Sequence, residues 1–297
     1  MKLAAIDIGS NAARLLISEV TKQPKQDPVF NKINLVRVPL RLGFDVFETG
    51  EISKAKVKML MQTLKAYQHL LQAYEIKHVY ACATSAMRDA RNSKDIIRKV
   101  KLETGIEIKV ISGQEEASFI YENHVAENLD SDHSYLYIDV GGGSTELTFF
   151  ANGALVSKES FNIGTIRLLK NQIKEKTWDD MKDYVKKHIK SELPSIAIGS
   201  GGNITKILSM SRLKEGKPLS LDLLKDYYKE LSNVTIEDRM NLYGLKEDRA
   251  DVIVPALLIY VQIMKWASID EIYVPKIGLV DGLIHHLYDQ VGNIALT

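Results

Sequence analysis

The sequence predicts an α/β protein of two similar lobes, each a mixed β-sheet flanked by helices, with a cleft between the lobes. Three observations indicate this fold class. Two segments, which begin at Ile6 and at Ile138, share one pattern: an apolar strand ending in Asp-x-Gly, a tight polar turn and a second apolar strand. Strand-like and helix-like hydrophobic periods alternate in both halves of the chain. The length of 297 residues suffices for two domains of roughly 150 residues each.

The composition is that of an ordinary globular protein. Lys and Arg number 39 and Asp and Glu number 38, so no net charge favours a nucleic acid or a membrane surface, and we expect neither DNA nor a membrane as a partner. The longest apolar stretch, 252–266, is too short to span a bilayer. The single cysteine, Cys82, lies in an apolar run and is expected to be a buried, inert thiol. Because Met1-Lys2 leads directly into a strand-like segment, we expect no signal peptide and a cytoplasmic location.

The first lobe is assigned to residues 1–127, in the order β-β-β-α-β-α-β-α. Ser53 is expected to cap a long amphipathic helix that ends near Tyr74, and Gly105 to end a later helix. The predicted strands are 3–9, 12–20, 33–38, 78–83 and 106–111, and the predicted helices are 53–74, 92–103 and 113–126, with a polar hairpin tip at 21–31.

The second lobe is assigned to residues 128–297, and its last helix is free to pack back on the first lobe. The predicted strands are 135–139, 145–151, 154–161, 195–199 and 271–275, and the predicted helices are 165–171, 177–191, 203–211, 220–232, 248–267 and 279–289. Pro255 predicts a kink or a break in the helix 248–267. The apolar side chains of that helix are either core or a surface for a homodimer; they are Leu257, Ile259, Ile263 and Trp266.

The glycine-rich turns indicate phosphate binding. Glycine and serine let backbone N–H groups converge on an anion, because no Cβ blocks the approach. Tight hairpins use the same residues for conformational reasons alone, but two copies in register favour a ligand. A third cluster at 198–203 ends a strand and opens a helix, where close helix–strand packing is an equally good explanation. The candidate phosphate-binding residues of these turns are Ser10, Asn11, Gly142, Gly143, Ser144, Thr145, Gly201 and Asn203.

Charged residues near the turns complete the candidate site. Arg88 follows a Thr-Ser pair after a strand, where its guanidinium could bind a phosphate, and Arg14 lies in a strand with apolar neighbours, so its charge needs a partner or a cleft. The alternative for Arg88 is a surface charge pair at a helix start. Asp139 and Glu146 flank the second turn and could meet around Mg²⁺, although Glu146 could equally be an exposed strand residue.

Two adjacent glutamates are given different roles. Ser112-Gly113-Gln114-Glu115 fits a capping box, in which Glu115 occupies the third helical position and bonds back to the cap. Glu116 is turned by about 100° around the helix, so it cannot share that role and is free to face the cleft.

The chain resembles a known family, that of exopolyphosphatase and guanosine-pentaphosphate phosphohydrolase (Ppx/GppA), in its short form. The segments that carry the resemblance are Asp7-Ile8-Gly9-Ser10-Asn11 with Arg14-Leu15, Ala83-Thr84-Ser85-Ala86-Met87-Arg88-Asp89-Ala90, Ile111-Ser112-Gly113-Gln114-Glu115-Glu116-Ala117 and Asp139-Val140-Gly141-Gly142-Gly143-Ser144-Thr145-Glu146-Leu147. They are ordered along essentially the whole chain. The resemblance implies an actin-like ATPase fold with ribonuclease H-like lobes, and a hydrolase acting on phosphoric anhydride bonds.

The resemblance further implies a substrate and a mechanism. The substrate would be inorganic polyphosphate, cleaved from its end, or the terminal phosphate of guanosine pentaphosphate. Glu116 would be the general base, and Mg²⁺ (or Mn²⁺) would be held by Asp139 and Glu146 with Asp7 nearby. A homodimer is also expected. Two alternatives stay open: a phosphotransferase or kinase on the same fold, and a non-catalytic sensor of phosphorylated nucleotides.

The chain departs from the family pattern at one place near the first turn. Phe44-Asp45-Val46 follows Arg41-Leu42-Gly43, where the family usually has an acidic residue and glycine. The departure leaves open which residues beside the first turn contact the substrate. The resemblance also leaves open whether long polyphosphate is bound processively without the C-terminal helical region of longer members.

Overall fold

The structure, a computed structural model, describes residues 1–22, 26–121, 132–214, 216–275 and 277–294. They fall into two compact units. Unit 1 comprises Met1–Asn123 and Gly278–Thr297, and unit 2 comprises His124–Ile277. The boundary predicted at 127/128 lies outside the described residues, as does part of the predicted hairpin tip, 23–25.

Unit 1 contains a five-stranded mixed sheet in the order β3-β2-β1-β4-β5. The first three strands are antiparallel, and β4 and β5 run parallel to β1. The strands are β1 (Lys2–Ile8), β2 (Ala13–Thr21), β3 (Val29–Val38), β4 (His78–Ala83) and β5 (Ile108–Val110), and the helices are α1 (Leu42–Thr49), α2 (Lys54–Ala73), α3 (Ser85–Asp89), α4 (Ser93–Thr104), α5 (Gly113–Tyr121) and, from the end of the chain, α13 (Leu279–Ile294).

The helices of unit 1 begin and end where local chemistry predicts. The Ser53 hydroxyl accepts a hydrogen bond from the N–H of Lys56 at the start of α2, which confirms the predicted cap. Gly105 adopts the left-handed conformation that ends α4. The C-terminal helix α13 packs on β1, β4 and α5, and there Asp281 pairs with Lys32 at 2.7 Å.

Unit 2 contains a six-stranded mixed sheet in the order β10-β11-β9-β6-β7-β8. The strands β6, β7 and β8 are antiparallel, and β9 runs parallel to β6. The strands are β6 (Ser134–Val140), β7 (Thr145–Ala151), β8 (Ala154–Phe161), β9 (Ser195–Ser200), β10 (Leu219–Ser220) and β11 (Glu271–Tyr273), and the helices are α6 (Thr165–Leu169), α7 (Glu175–His188), α8 (Gly202–Ser211), α9 (Leu221–Ser232), α10 (Ile236–Tyr243), α11 (Glu247–Ala250) and α12 (Ile253–Ala267).

The predicted helix 248–267 is divided, but ahead of Pro255. The α11 helix ends at Ala250 and α12 begins at Ile253, so Pro255 lies in the first turn of α12. The N–H groups of the first turn have no helical partner, so proline costs little there.

Of the two roles that the sequence left open for this helix, core or dimer surface, the structure supports the core. Leu257, Ile259 and Ile263 are completely buried in the core of unit 2, and Trp266 packs against that core. The helix α12 lies against α9 and α7, so its apolar faces are already covered within the unit. A homodimer therefore stays a prediction without an assigned surface.

Among the described residues, one stretch, Glu247–Ala267, which comprises α11 and α12, is long and apolar enough to cross a membrane by length and composition, whereas the apolar run 252–266 alone was expected to be too short. In its most apolar 18-residue window 61% is buried inside the fold, as in the core helix of a globular domain.

Candidate active site

The first glycine turn joins β1 to β2 in unit 1 and is held by serine hydroxyls. The Ser10 and Ser85 hydroxyls lie 2.7 Å apart, and Ser10 Oγ accepts the N–H of Ala86 at 3.1 Å. Both serines are buried. The hydroxyl of Ser10, which was predicted to bind phosphate, therefore holds the turn against α3 through Ser85 and Ala86.

The start of α1 is attached to the same turn. The N–H of Arg41 donates to the carbonyl of Asn11, and the N–H of Gly43 donates to the carbonyl of Ser10, both at 2.8 Å. Arg41 is left-handed (φ 56°), and its guanidinium lies 4.0 Å above the Phe44 ring. Phe44, the aromatic residue at the departure from the family pattern, therefore contacts the Arg41 cation beside the first turn. The sequence did not single out Arg41 as a site residue, because its nearness to Asn11 is set by contacts distant in sequence.

Asp7 and Arg14 form a partly buried ion pair. They are direct partners across β1 and β2, and Arg14 Nη1 donates to Asp7 Oδ2 at 2.7 Å. Asp7 is 2% exposed, and its burial raises the pKa of the carboxyl while Arg14 opposes the rise. Asp7, expected near the metal, and Arg14, expected to bind phosphate, are thus each other's immediate partner.

Arg88 holds the segment that leads into α5. Its Nη1 donates to the carbonyl of Ile111 at 2.9 Å. The half-buried guanidinium connects α3 to the residue that precedes the Ser112 cap, so it supports the helix on which the two glutamates lie.

The structure confirms the capping box and separates the two glutamates. Glu115 accepts the N–H of Ser112 at 2.8 Å, the Ser112 hydroxyl accepts the N–H of Glu115 at 3.2 Å, and Lys109 donates to Glu115 at 2.8 Å. The Lys109 ammonium, with the Ser112 bonds, lowers the pKa of Glu115 to about 2. Glu116, the next residue, is buried, with 8% exposed.

Cys82 lies on β4 directly beside Asp7 and has no exposed surface. Burial, with the negative charges of Asp7 and Glu116, raises the pKa of its thiol well above the ordinary value. The expectation of an inert core thiol is confirmed.

The second glycine turn, in unit 2, is packed tightly against α6. The N–H groups of Thr165 and Ile166 donate to the carbonyls of Gly141 (3.0 Å) and Gly142 (2.8 Å). A Cβ at Gly164 would overlap the backbone of the turn, so only glycine permits this approach. The turn's carbonyls thus have partners on α6, while Gly141 also donates its N–H to Ser144 at 2.9 Å.

Two side chains reinforce this packing. Arg167 Nε donates to the Gly143 carbonyl at 2.6 Å, and the Thr145 hydroxyl donates to the Ile163 carbonyl at 2.6 Å. Thr145 and Ser144 are buried. The hydroxyl of Thr145, predicted to bind phosphate, is therefore used to hold the turn.

Asp139 and Glu146 are direct partners across β6 and β7, so their side chains leave the same face of the sheet. Glu146 is 2% exposed and accepts a hydrogen bond from the Ser160 hydroxyl at 2.9 Å. Among the described residues, no group of three or more His, Cys, Asp or Glu side chains could hold a metal. Mg²⁺ commonly uses one or two carboxylates together with waters and substrate phosphates, so this pair fits it.

The third glycine cluster lies beside Asp139. Gly201 is left-handed (φ 98°), and a Cβ there would come within 2.9 Å of Asp139 Oδ1. Tyr260, buried in α12, donates to the Ser200 carbonyl at 2.6 Å, and burial with the Asp139 charge raises its phenol pKa well above the ordinary value. Sequence reasoning missed Tyr260 because its apolar helical setting is that of a core residue.

Arg249 covers the start of α8. Its guanidinium lies against Gly202, where any Cβ would overlap it, and its Nη1 donates to Asn203 Oδ1 at 3.1 Å. The close packing considered from the sequence is confirmed, since Gly199 packs against Ile272 and Ile204. Gly202 admits the Arg249 cation beside Asn203, and phosphate binding by Gly201 and Asn203 stays a prediction.

The chain is similar to known proteins over most of its length. The model of the Ppx/GppA phosphatase family matches residues 20–291. A bifunctional 3-dehydroquinate synthase/phosphatase of Fusobacterium nucleatum is 32% identical over 300 residues, which cover 92% of this chain and 44% of that protein. Exopolyphosphatase 1 of Mycobacterium tuberculosis is 24% identical over 310 residues, which cover 98% of this chain and 89% of that protein.

A solved structure extends the likeness to the fold. The crystal structure of an exopolyphosphatase from Cytophaga hutchinsonii has 26% sequence identity and a TM-score of 0.83, with 98% of both chains covered. This confirms the predicted fold class, two mixed sheets flanked by helices. Since the family model matches nearly the full length and the fold agrees, the chain belongs to the Ppx/GppA phosphatase family.

Proposed function

We propose that the protein is a Mg²⁺-dependent phosphohydrolase that releases the terminal phosphate of inorganic polyphosphate or of guanosine pentaphosphate. The observation that carries the proposal is the pair of carboxylates, Asp139 and Glu146, on adjacent strands beside a glycine turn. Relatives with similarity over nearly the whole chain are exopolyphosphatases. Because the chain spans only 44% of the bifunctional relative, that protein's synthase activity has no place in the proposal.

Asp139 and Glu146 are the residues that would hold the metal. Two carboxylates close together on one sheet face repel each other and any phosphate, unless a cation lies between them. Bound there, Mg²⁺ would neutralise charge on the transferring phosphoryl group. Ser160 orients Glu146 through its hydrogen bond, and Gly201 leaves room for the carboxylate of Asp139. Mn²⁺ prefers similar oxygen ligands.

Glu116 is the proposed general base. It is buried at the start of α5, whose first turn is fixed by the Ser112–Glu115 cap and by the bond from Arg88 to Ile111. A carboxylate held in this way can accept the proton of an attacking water, and such a base usually contributes a factor of roughly 10² to 10⁴ in rate.

Phosphate release tests the proposal and its two alternatives. We would measure it for polyphosphates of several lengths, guanosine pentaphosphate and ATP, with Mg²⁺ and with chelator, and use Glu116→Gln as the control for contaminating phosphatases. The proposal is supported if the wild-type protein releases phosphate from polyphosphate or guanosine pentaphosphate and Glu116→Gln does not. Phosphate transfer only to an added acceptor would indicate a kinase, and tight nucleotide binding without turnover would indicate a sensor.

A further inference from the structure

A groove of about 450 Å³ lies between the helices α2 and α4 of unit 1. Its apolar floor is formed by Ile52, Val57 and Met61, of which Ile52 and Met61 are buried. The described residues that line the groove include none of those predicted to bind phosphate or metal. The groove is therefore a second concave surface, built from residues that the candidate active site does not use.

The rim of the groove carries four lysines and one glutamate. Lys54, Lys58 and Lys65 lie on α2, whereas Lys99 and Glu103 lie on α4. Helix residues that are four and eleven positions apart share one face, so the three lysines of α2 form a row along the groove, which we call the lysine row. In a chain with 39 basic and 38 acidic residues, this is a local concentration of positive charge.

The protein itself neutralises only part of this charge. Glu103 accepts Lys65 at 2.6 Å and lies 3.8 Å from Lys99, so one carboxylate serves two ammonium groups. Among the residues that the structure describes, no side chain forms an ion pair with Lys54 or Lys58. These two lysines are four residues apart, and like charges at that spacing destabilise a helix. An anion in the groove would relieve their repulsion.

The groove is held in shape by Asn92 at one end. The Asn92 amide donates to the carbonyl of Ile52 at 2.8 Å, and its oxygen accepts the N–H of Ile52 at 3.1 Å. The Ser53 hydroxyl then caps α2, so the backbone that leads to Lys54 is fixed. Lysine stems pack along apolar surface and leave their ammonium groups in water. The site is therefore preformed, and a ligand need not order the backbone to bind.

The residues of the groove indicate the class of its ligand. No aromatic side chain among the described residues lines it, so it offers no stacking surface for a nucleobase. Lysine is a flexible point charge without the rigid fork of arginine, which suits a chain of repeating charges in no fixed register. Lys54 and Lys65 are eleven residues apart, about 16 Å along the helix, so a single phosphate reaches one end only. A linear chain of phosphates would span the row.

We propose that the groove between α2 and α4 binds inorganic polyphosphate, through the lysine row of α2 together with Lys99. It would hold a part of a long chain other than the phosphate that is being released. Long chains would therefore bind more tightly than tripolyphosphate, which cannot span the row. This inference rests on the proposed function for the choice of ligand, and the site itself uses neither the metal nor Glu116.

Binding and local protection test the proposal. Binding of long-chain polyphosphate, tripolyphosphate and polyglutamate to the full-length protein would be measured by calorimetry in the presence of chelator. Amine labelling followed by mass spectrometry would measure the accessibility of each lysine with and without the long chain. The test variant is Lys54→Gln/Lys58→Gln, and Lys54→Arg/Lys58→Arg keeps the charge. The matched control is Lys186→Gln/Lys187→Gln, which removes two exposed lysines of α7.

We expect Lys54→Gln/Lys58→Gln to weaken binding of long-chain polyphosphate by roughly 3- to 30-fold, the effect of losing two exposed charge pairs. The arginine variant and the α7 control should bind as wild type. Bound polyphosphate should protect Lys54 and Lys58 from labelling and leave Lys186 and Lys187 accessible. Wild-type affinity in the glutamine variant, an equal loss in the α7 control, or equally tight binding of polyglutamate would overturn the inference.

Two further outcomes keep the test decisive. If the glutamine variant does not fold, as judged by thermal unfolding, the labelling of Lys54 and Lys58 in the wild-type protein decides, because it needs no substitution. If the wild-type protein hydrolyses no phosphoanhydride but polyphosphate still protects both lysines, the proposed function fails while the binding site stands. Hydrolysis of polyphosphate without protection of Lys54 and Lys58 would overturn the inference and leave the proposed function in place.

Discussion

At the residue scale, adjacent glutamates show how position on a helix decides chemistry. Glu115 is held by Ser112 and Lys109 and has a structural role, whereas Glu116 is buried on another side of α5. Their side chains are chemically identical, so the difference lies entirely in what surrounds them.

Glutamine at each position should separate the two roles. Glu116→Gln keeps the shape and removes the base, so we expect turnover to fall by roughly 10² to 10⁴ while substrate still binds. Glu115→Gln should keep most activity, because glutamine also completes a capping box. Steady-state phosphate release and substrate binding would be measured for both. Near wild-type turnover in Glu116→Gln together with loss in Glu115→Gln would mean that the roles are reversed.

The low pKa of Glu115 predicts a dependence of stability on pH. A carboxyl whose pKa is lowered on folding, here to about 2 from 4.5, stabilises the fold above about pH 4.5 and loses this contribution as the pH falls through 2. Because the pair with Lys109 is largely exposed, the effect should be at most about 1 kcal/mol. Thermal unfolding of wild type and Glu115→Gln should therefore differ slightly at pH 7 and converge towards pH 2. A constant difference across that range would exclude this origin.

At the element scale, the glycine turns depend on the elements packed against them. The turn in unit 1 is attached to α1 and α3, and the turn in unit 2 is attached to α6. Short elements such as α1, α3 and α10 were not predicted, because eight residues or fewer give too few periods to distinguish a helix from a loop. The helices α1 and α3 nevertheless position the residues of the first turn.

Gly164 tests the packing of the second turn. An alanine Cβ would meet the backbone of Gly142 and Gly143 at 2.5 Å, so we expect Gly164→Ala to destabilise the protein by about 1–3 kcal/mol and to impair phosphate release. Gly292 in α13 is the matched control, since a Cβ there meets nothing within 4 Å and alanine favours a helix. Denaturant unfolding of the two variants measures the difference, and equal stabilities would show that the turn can move away from α6.

At the scale of the whole molecule, one strand–turn–strand element occurs in both units but has diverged. Asp7 faces Arg14 in unit 1, and its counterpart Asp139 faces Glu146 in unit 2. The core of unit 2 continues through α12, which removes the surface expected for a dimer.

Metal dependence is the prediction that belongs to this scale. Phosphate release should collapse in excess chelator and return with Mg²⁺ or Mn²⁺, because Asp139 and Glu146 would otherwise repel a polyanion. Ser160→Ala should raise the Mg²⁺ concentration needed for half-maximal rate, since Glu146 loses its hydroxyl partner. A titration of rate against Mg²⁺ measures both effects. Full activity in excess chelator would show that Asp139 and Glu146 are not metal ligands.

The sequence by itself determined the local structure, the fold class and the family. The repeated Asp-x-Gly turns, the cap at Ser53, the capping box and the end of α4 at Gly105 follow from contacts within a few residues, and local chemistry specifies such contacts directly. Their order along the chain also identified the two mixed sheets and the family.

Only the tertiary structure decided which side chains meet. Arg14 faces Asp7 and Arg37 because of strand register, the Ser10 hydroxyl bonds to Ser85, and Arg41 joins the first turn through α1. Each contact joins residues that are distant in sequence or lie on different strands, and a pairing shift of one residue would turn every side chain to the other face of the sheet. Composition and periodicity do not specify that register, so the pairing of Asp7 with Arg14 and of Asp139 with Glu146 became visible only in the folded sheets.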